Sequence, residues 1–249
     1  MFYKIHKNGE LNNYDIFKIL ALLTMVIDHI GIFLLFNAPY VSWFRTIGRL
    51  SLPLFAILHG ISFKNTSTKS NLIVYGALTS LSMYYTLGID IFPLNILFNF
   101  FISSLVFDEV NKMYNTSPLV GLLFLIITYL AHPIFSFFAE YGTFVLLFMI
   151  VGKNFAKIGN NIHDAIFGIL TFALYIIVQS SKFSLSLYQI VLFSIGMLII
   201  YLSTFNFRFR EYYHLKSNKI LLFLSRYSLE LYFIHIFIFS ICRKMLYFK

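Results

Sequence analysis

The chain has 249 residues, of which 59% are hydrophobic, 20% aromatic and only 12% charged, against roughly a quarter charged in ordinary soluble proteins. So little charge excludes a water-facing surface on a domain of this size. The formal net charge of +9 would raise the question of nucleic acid in a soluble protein. Here the charges lie between long apolar runs, so they report membrane topology, and the expected partner is the lipid bilayer, with no nucleic acid.

Apolar runs of about 18 residues or more recur along the chain, each long enough to cross roughly 30 Å of hydrocarbon as a helix. A polar head over residues 1–15 carries Lys4 and Lys7, and no small-residue cleavage site follows the first run, which reads as a retained span and not a signal peptide. The predicted spans cover about 16–36, 43–63, 71–88, 93–107, 118–131, 134–152, 163–180, 186–204 and 218–240, with ends uncertain by 2 to 4 residues. The fold class is therefore all-α, a polytopic transmembrane bundle of about nine helices, with eight to ten possible, forming one membrane domain over 1–249. Pro93, Pro118 and Pro133 set the predicted breaks around the fourth, fifth and sixth spans.

With the N-terminus inside, most of the nineteen Lys and Arg fall in cytoplasmic loops, as the positive-inside rule requires. Lys112, Lys153, Lys157, Arg208 and Arg210 are among them, while the basic tail of Arg243, Lys244 and Lys249 falls outside. The single cysteine, Cys242, allows no internal disulfide, and no Cys/His cluster has metal-ligand spacing, so no metal is expected.

An ionisable side chain at the centre of a transmembrane helix costs about 2.5 to 3.5 kcal/mol and must find a partner. Asp28 and His29 lie past the middle of the first span. Arg45 and Arg49 follow in the second, four apart and on one helical face. The short turn between these spans makes them antiparallel neighbours, so Asp28 is expected to meet the arginines and to leave His29 free for proton chemistry. The same cluster could serve only to lock two helices together. Threading places Asn95, Asn99, His132, Glu140, Tyr141, Tyr232 and His235 in the same layer. Ser228, Tyr232 and His235 share one face at i, i+4, i+7, and Arg226 with Glu230 is expected to form a deeper ion pair.

These residues resemble the TraX family, membrane proteins named after the enzyme that acetylates the amino terminus of conjugative pilin and related more distantly to the acyltransferase-3 group. The resemblance rests on KILALLTMVIDHIG, which matches an opening K-I-x-A-x-x-x-M-x-x-D-H-I-G pattern, and on RTIGRLSLPLF, which matches R-x-x-G-R-x-x-x-P-x-F. Weaker matches are LNILFN, EYGTFVLL and the closing YFIH. His59 departs from the acidic or small residue expected at its place, and the segment before His235 lacks the usual proline.

The resemblance implies transfer of an acetyl group from acetyl-CoA to an acceptor at or beyond a bacterial cytoplasmic membrane, the acceptor being a peptide amino terminus, a glycan or a lipid. Acyl transfer needs a base, donors for a developing oxyanion and a site for the coenzyme's phosphates. His29 is the expected base, with His235 as second choice. Asp28, Arg45 and Arg49 complete the catalytic set, Arg45 or Arg49 and Asn95 supplying the oxyanion donors, and Asn95, Glu140, Tyr141 and Tyr232 border the substrate. Lys153, Lys157, Arg208 and Arg210 are expected to hold the coenzyme phosphates. A transporter or flippase with a buried charged pathway, or a non-catalytic membrane scaffold, are the competing readings. The first should show Gly- or Pro-broken helices repeated in two halves, and no such symmetry is apparent.

Overall fold

A computed structural model of the chain describes residues 11–63, 68–88, 93–156, 161–205 and 219–247, and over these the protein is a helical bundle. Helix α1 (Asn13–His29) opens with a capping box: the Asn12 side chain accepts from the Asp15 amide at 2.9 Å, and the Asp15 carboxylate accepts from the Asn12 amide at 3.2 Å. Two orphan amides are thereby satisfied at the first turn. The Asp15 carboxylate also accepts from Ser225 Oγ at 2.5 Å, tying the start of α1 to a helix near the other end of the chain.

Directly after His29 the backbone widens into a π-helical turn, Ile30–Leu34, closed by the Leu35 amide bonding to the Ile30 carbonyl. Such turns inside helices concentrate at functional sites. The second span is two helices, α2 (Val41–Gly48) and α3 (Ser51–Ser62), joined through Arg49 and Leu50. Pro53 lies in the first turn of α3, where an amide has no intrahelical partner to lose. The antiparallel pairing of α1 with α2 and α3 is pinned at both ends, by Asp28 with Arg45 and by Tyr14 Oη donating to Ser62 Oγ at 3.0 Å.

Then follow α4 (Thr68–Leu87), α5 (Ile96–Tyr114), α6 (Pro118–Phe138), α7 (Phe144–Phe155), α8 (Ile162–Lys182), α9 (Leu187–Phe205), α10 (Lys219–Arg226) and α11 (Ser228–Tyr247). Helix α7 is the axis of the bundle. Val145, Leu147, Phe148, Met149 and Ile150 are fully buried, so this helix is apolar on all sides because protein surrounds it on all sides. It meets α3 backbone to backbone: a Cβ on Gly60 would stand 2.0 Å from the Met149 carbonyl oxygen, and one on Gly152 would stand 2.2 Å from that of Ile57. Small residues permit this approach where helices pack without water to drive them together.

The outward surface is the reverse of a soluble protein's. Leu119, Ile127, Leu130, Ile134, Ile169 and Leu198 are each more than half exposed, an apolar area that only a lipid environment accommodates. The protein is an integral, multi-pass membrane protein. Among the described residues, five segments are long and apolar enough to cross a membrane: Asn13–Leu34, Val41–Ser62, Pro118–Phe138, Ile162–Lys182 and Leu187–Phe205. The bent pair of α10 and α11 makes a sixth if taken as one span.

Each of the nine expected spans coincides with a helix or helix pair, of which five or six are long and apolar enough to cross among the described residues, and three features account for the difference. Helix α6 continues through Pro133 to Phe138, so no break separates 118–131 from a span at 134–152. The second of those is replaced by the end of α6 and by α7, whose 12 residues rise only about 18 Å, too short to cross. Helices α4 and α5 are long enough, but α4 is rich in Ser, Thr and Tyr and α5 ends in Asp108, Glu109 and Lys112. Finally, α10 and α11 meet at 82°. That bend at Tyr227 removes the i, i+4 relation between Arg226 and Glu230, and Arg226 is exposed and makes no ion pair with Glu230.

Candidate functional site

Asp28 is 4% exposed and Arg49 7%. Asp28 Oδ2 lies 3.3 Å from Arg45 Nη1 and 3.9 Å from Arg49 Nη2, so one carboxylate oxygen faces two guanidinium groups. Gly48 makes this possible, since a Cβ there would sit 2.2 Å from Asp28 Cβ. The sum of these three charges is +1. Asp28 Oδ1 and Arg49 Nε are buried without a hydrogen-bond partner among the described residues. The guanidinium planes of Arg49 and Arg45 lie 4.3 and 5.1 Å from the centre of the Phe183 ring, a cation–π arrangement that holds them in place without neutralising them.

Arg49 is further fixed by two tyrosines. Its carbonyl accepts from Tyr175 Oη at 3.0 Å, and its Nη1 donates to Tyr141 Oη. Tyr141 stands in the turn between α6 and α7 with φ of 65°, followed by Gly142 at 49°. A left-handed tyrosine costs on the order of 1 to 3 kcal/mol and persists only where its surroundings impose it. Asn99 imposes it, donating from Nδ2 to the carbonyls of Glu140 at 2.5 Å and Gly142 at 2.8 Å. The same turn turns Glu140, which is exposed, into the wall of the cavity described below.

His29 and His235 come together, Nδ1 of the first 2.6 Å from Nε2 of the second. The direction of this bond follows from its neighbour. His235 Nδ1 lies 2.6 Å from the Leu231 carbonyl, and a carbonyl only accepts, so His235 carries its proton on Nδ1. In a neutral ring the other nitrogen then has no proton. His235 Nε2 is therefore the acceptor, His29 Nδ1 the donor, and His29 Nε2 the nitrogen with the free lone pair. The tautomers are assigned from the hydrogen-bond network. Tyr232 and Phe33 brace the His29 ring, each with its centroid 5.9 Å away.

A cavity of about 230 Å³ joins these groups. Its wall at one end holds Asp28, His29, Arg45, Arg49, Glu140 and Tyr141, and Ser228 and Tyr232 border it from α11. His235 does not line it; it stands behind His29. At the other end are Tyr14, Lys18, His59 and Ser62. Helix α1 and the π-helical turn that follows it thus contribute one continuous face from Tyr14 to Ile32.

The expected residues divide as follows. Asp28, His29, Arg45, Arg49, Glu140, Tyr141, Tyr232 and His235 form one constellation. Asn95 does not join it: it caps α5, accepting from the Leu97 amide at 3.0 Å and donating to the Gly76 carbonyl at 2.7 Å and to Ser80 Oγ at 2.9 Å. With both donors engaged it has none for an oxyanion. Lys153 is at the end of α7 and does not line the cavity, while Lys157, Arg208 and Arg210 lie outside the described residues. The cation that does line the far end is Lys18. Its spacing of eleven residues from His29, three helical turns, is the signal in the sequence that places both on one face.

Among the described residues no group of three or more His, Cys, Asp or Glu could hold a metal ion. The chain matches the TraX protein family over residues 13–243. It is similar to an uncharacterized protein of Rickettsia prowazekii (strain Madrid E), 28% identical over 149 residues. The match covers 58% of this chain and 56% of that protein, so the chain spans little more than half the length of this relative. No solved structure matches. A family match that begins at the first residue of α1 and ends in α11 takes in the whole site, and the chain belongs to the TraX family.

Proposed function

We propose that the protein is a membrane-embedded acyltransferase, moving acetyl from acetyl-CoA to an acceptor at or beyond the bacterial cytoplasmic membrane, with the N-terminus inside. The observation that carries this reading is the unprotonated His29 Nε2 at a cavity whose adjoining wall holds two arginines that share one Asp28 carboxylate oxygen. Membership of a family associated with pilin acetylation supports it.

In the proposed reaction His29 Nε2 takes the proton from an acceptor amine or hydroxyl as that atom attacks the thioester carbonyl carbon. The developing oxyanion is stabilised by Arg45, the less buried of the two guanidiniums although the nearer to Asp28, with Arg49 held back by its bond to Tyr141. Collapse breaks the C–S bond, and the coenzyme thiolate recovers the proton from His29. His235 positions the ring through the Nδ1 bond and stabilises the imidazolium through the same contact, the part played by an aspartate in Ser-His-Asp sites. A peptide amino terminus, a glycan and a lipid all offer the required nucleophile. With the N-terminus inside, the donor enters past Lys18 and reacts toward the outer half.

Thermal stability of the purified, detergent-solubilised chain with acetyl-CoA tests this reading. Stabilisation by a donor bound at [L] of about 100 Kd would amount to about 2.7 kcal/mol. A melting temperature unmoved by any acyl-coenzyme donor contradicts the reading and favours a transporter with a buried charged pathway.

A further inference from the structure

We infer that Lys18 is the phosphate anchor of a channel built to the length of a phosphopantetheine arm. This rests on the reading of the cavity as an acyl-donor site. Lys18 and His29 line the same cavity and are eleven residues apart on α1. Eleven residues rise about 16 Å and turn by about 1100°, three turns and a small remainder, so both face the same way. In a phosphopantetheine thioester, thirteen bonds separate sulfur from phosphorus. At about 3.5 Å for every three bonds of extended chain this is about 15 Å. A phosphate held at Lys18 therefore places the thioester beside His29.

The chemistry along the channel fits the same ligand. Its middle is apolar, with Met25, Leu52, Phe55 and Phe100, which suits the methylene and gem-dimethyl portions of the arm. The end at Lys18 is polar. Tyr14 Oη donates to Ser62 Oγ, and Ser62 Oγ donates to the Leu58 carbonyl at 2.9 Å. His59 Nε2 is 2.9 Å from Ser104 Oγ, and Ser104 Oγ donates to the Phe100 carbonyl at 2.7 Å. Ser104 must then accept from His59, which leaves His59 Nδ1 as an acceptor for an amide N–H of the arm.

No carboxylate lies within ion-pair distance of Lys18 Nζ among the described residues. Asp15 and Glu230 act on it only from longer range, and Asp15 is already engaged by Asn12 and Ser225. The ammonium is thus free to take an anion.

The test compares 4′-phosphopantetheine with pantetheine, which differ by one phosphate, as stabilisers of the full chain in detergent. The wild type should require at least tenfold less of the phosphorylated ligand for half-maximal stabilisation, as a charge-assisted contact implies. In Lys18→Gln this preference should collapse to within threefold, while Lys18→Arg should keep it. A Lys18→Gln protein that melts normally and retains the full preference overturns the anchor alone, as does a wild type with no preference. Failure of coenzyme A, phosphopantetheine and pantetheine alike to stabilise the wild type overturns the acyl-donor reading and the anchor with it.

Discussion

Replacing Asp28 by Asn removes one negative charge and leaves the shape of the side chain almost unchanged, so its effect isolates the electrostatic role of the carboxylate. Two guanidiniums converge on Oδ2, at 3.3 and 3.9 Å, and the Arg49 side chain is 8% exposed against 19% for Arg45. Removing one partner of a buried ion pair costs about 3 to 5 kcal/mol because the remaining charge stays buried. At about 2 to 4 °C per kcal/mol for a chain of this size, Asp28→Asn should lower the melting temperature by about 6 to 20 °C.

The burial difference makes a second expectation. Arg49→Gln should restore part of the loss in the Asp28→Asn background, and more than Arg45→Gln does, since Arg49 is the charge that water does not reach. Trp43, the only tryptophan, lies in α2 two residues before Arg45 and reports local unfolding by fluorescence. The coupling between Asp28 and Arg49 should exceed about 1 kcal/mol. Additivity to within about 0.5 kcal/mol, the behaviour of independent sites, would refute the account of a shared buried charge.

Three further outcomes follow from the same geometry. His235→Ala, which removes the acceptor for His29 Nδ1, should lower kcat of acetyl transfer by about tenfold to a thousandfold with little change in KM, and His235→Gln, with an amide oxygen to accept, should recover part of it; equal losses in the two variants would assign His235 another role. Asn99→Ala should cost about 1 to 3 kcal/mol through three lost hydrogen bonds, two to the turn and one from Ser103 Oγ, and also reduce turnover of the folded fraction, because the Tyr141 turn holds Arg49, whereas Asn95→Ala should reduce stability with turnover per folded molecule unchanged. Gly60→Ala places a Cβ 2.0 Å from the Met149 carbonyl oxygen and should destabilise by about 1 to 3 kcal/mol or more, measured by thermal unfolding; a neutral outcome would mean that α3 and α7 can separate freely.

Much of the site was legible because membrane burial makes charge informative. Asp28, Arg45 and Arg49 had to find one another, and i, i+4 spacing on one helix with a short turn to the next sufficed to pair them. Tyr232 and His235 were legible by periodicity. Distant pairing was not: nothing local to His29 indicates that His235, 206 residues away, supplies the acceptor for its Nδ1. Asn95 and Asn99 look equivalent in sequence, yet one caps a helix and the other clamps a left-handed turn, and only tertiary contacts separate them. The expected spans and the candidate crossing helices differ where hydropathy and length part company. Helix α7 is apolar because it is central, not because it crosses the bilayer, and Pro133 interrupts a hydrogen bond of α6 without ending the helix.

The most direct measurement is transfer of labelled acetyl from acetyl-CoA by the purified full chain in vesicles of bacterial lipid, supplied in turn with a peptide bearing a free amino terminus and with an oligosaccharide as acceptors, with release of the coenzyme thiol as the readout common to all of them. The wild type should release thiol and transfer label, and His29→Ala should lose at least a hundredfold in kcat while keeping its melting temperature and its stabilisation by coenzyme A. Full turnover in His29→Ala would contradict the assignment of the base, and a wild type that neither releases thiol nor transfers label would contradict the account of the cavity as an acyl-transfer site.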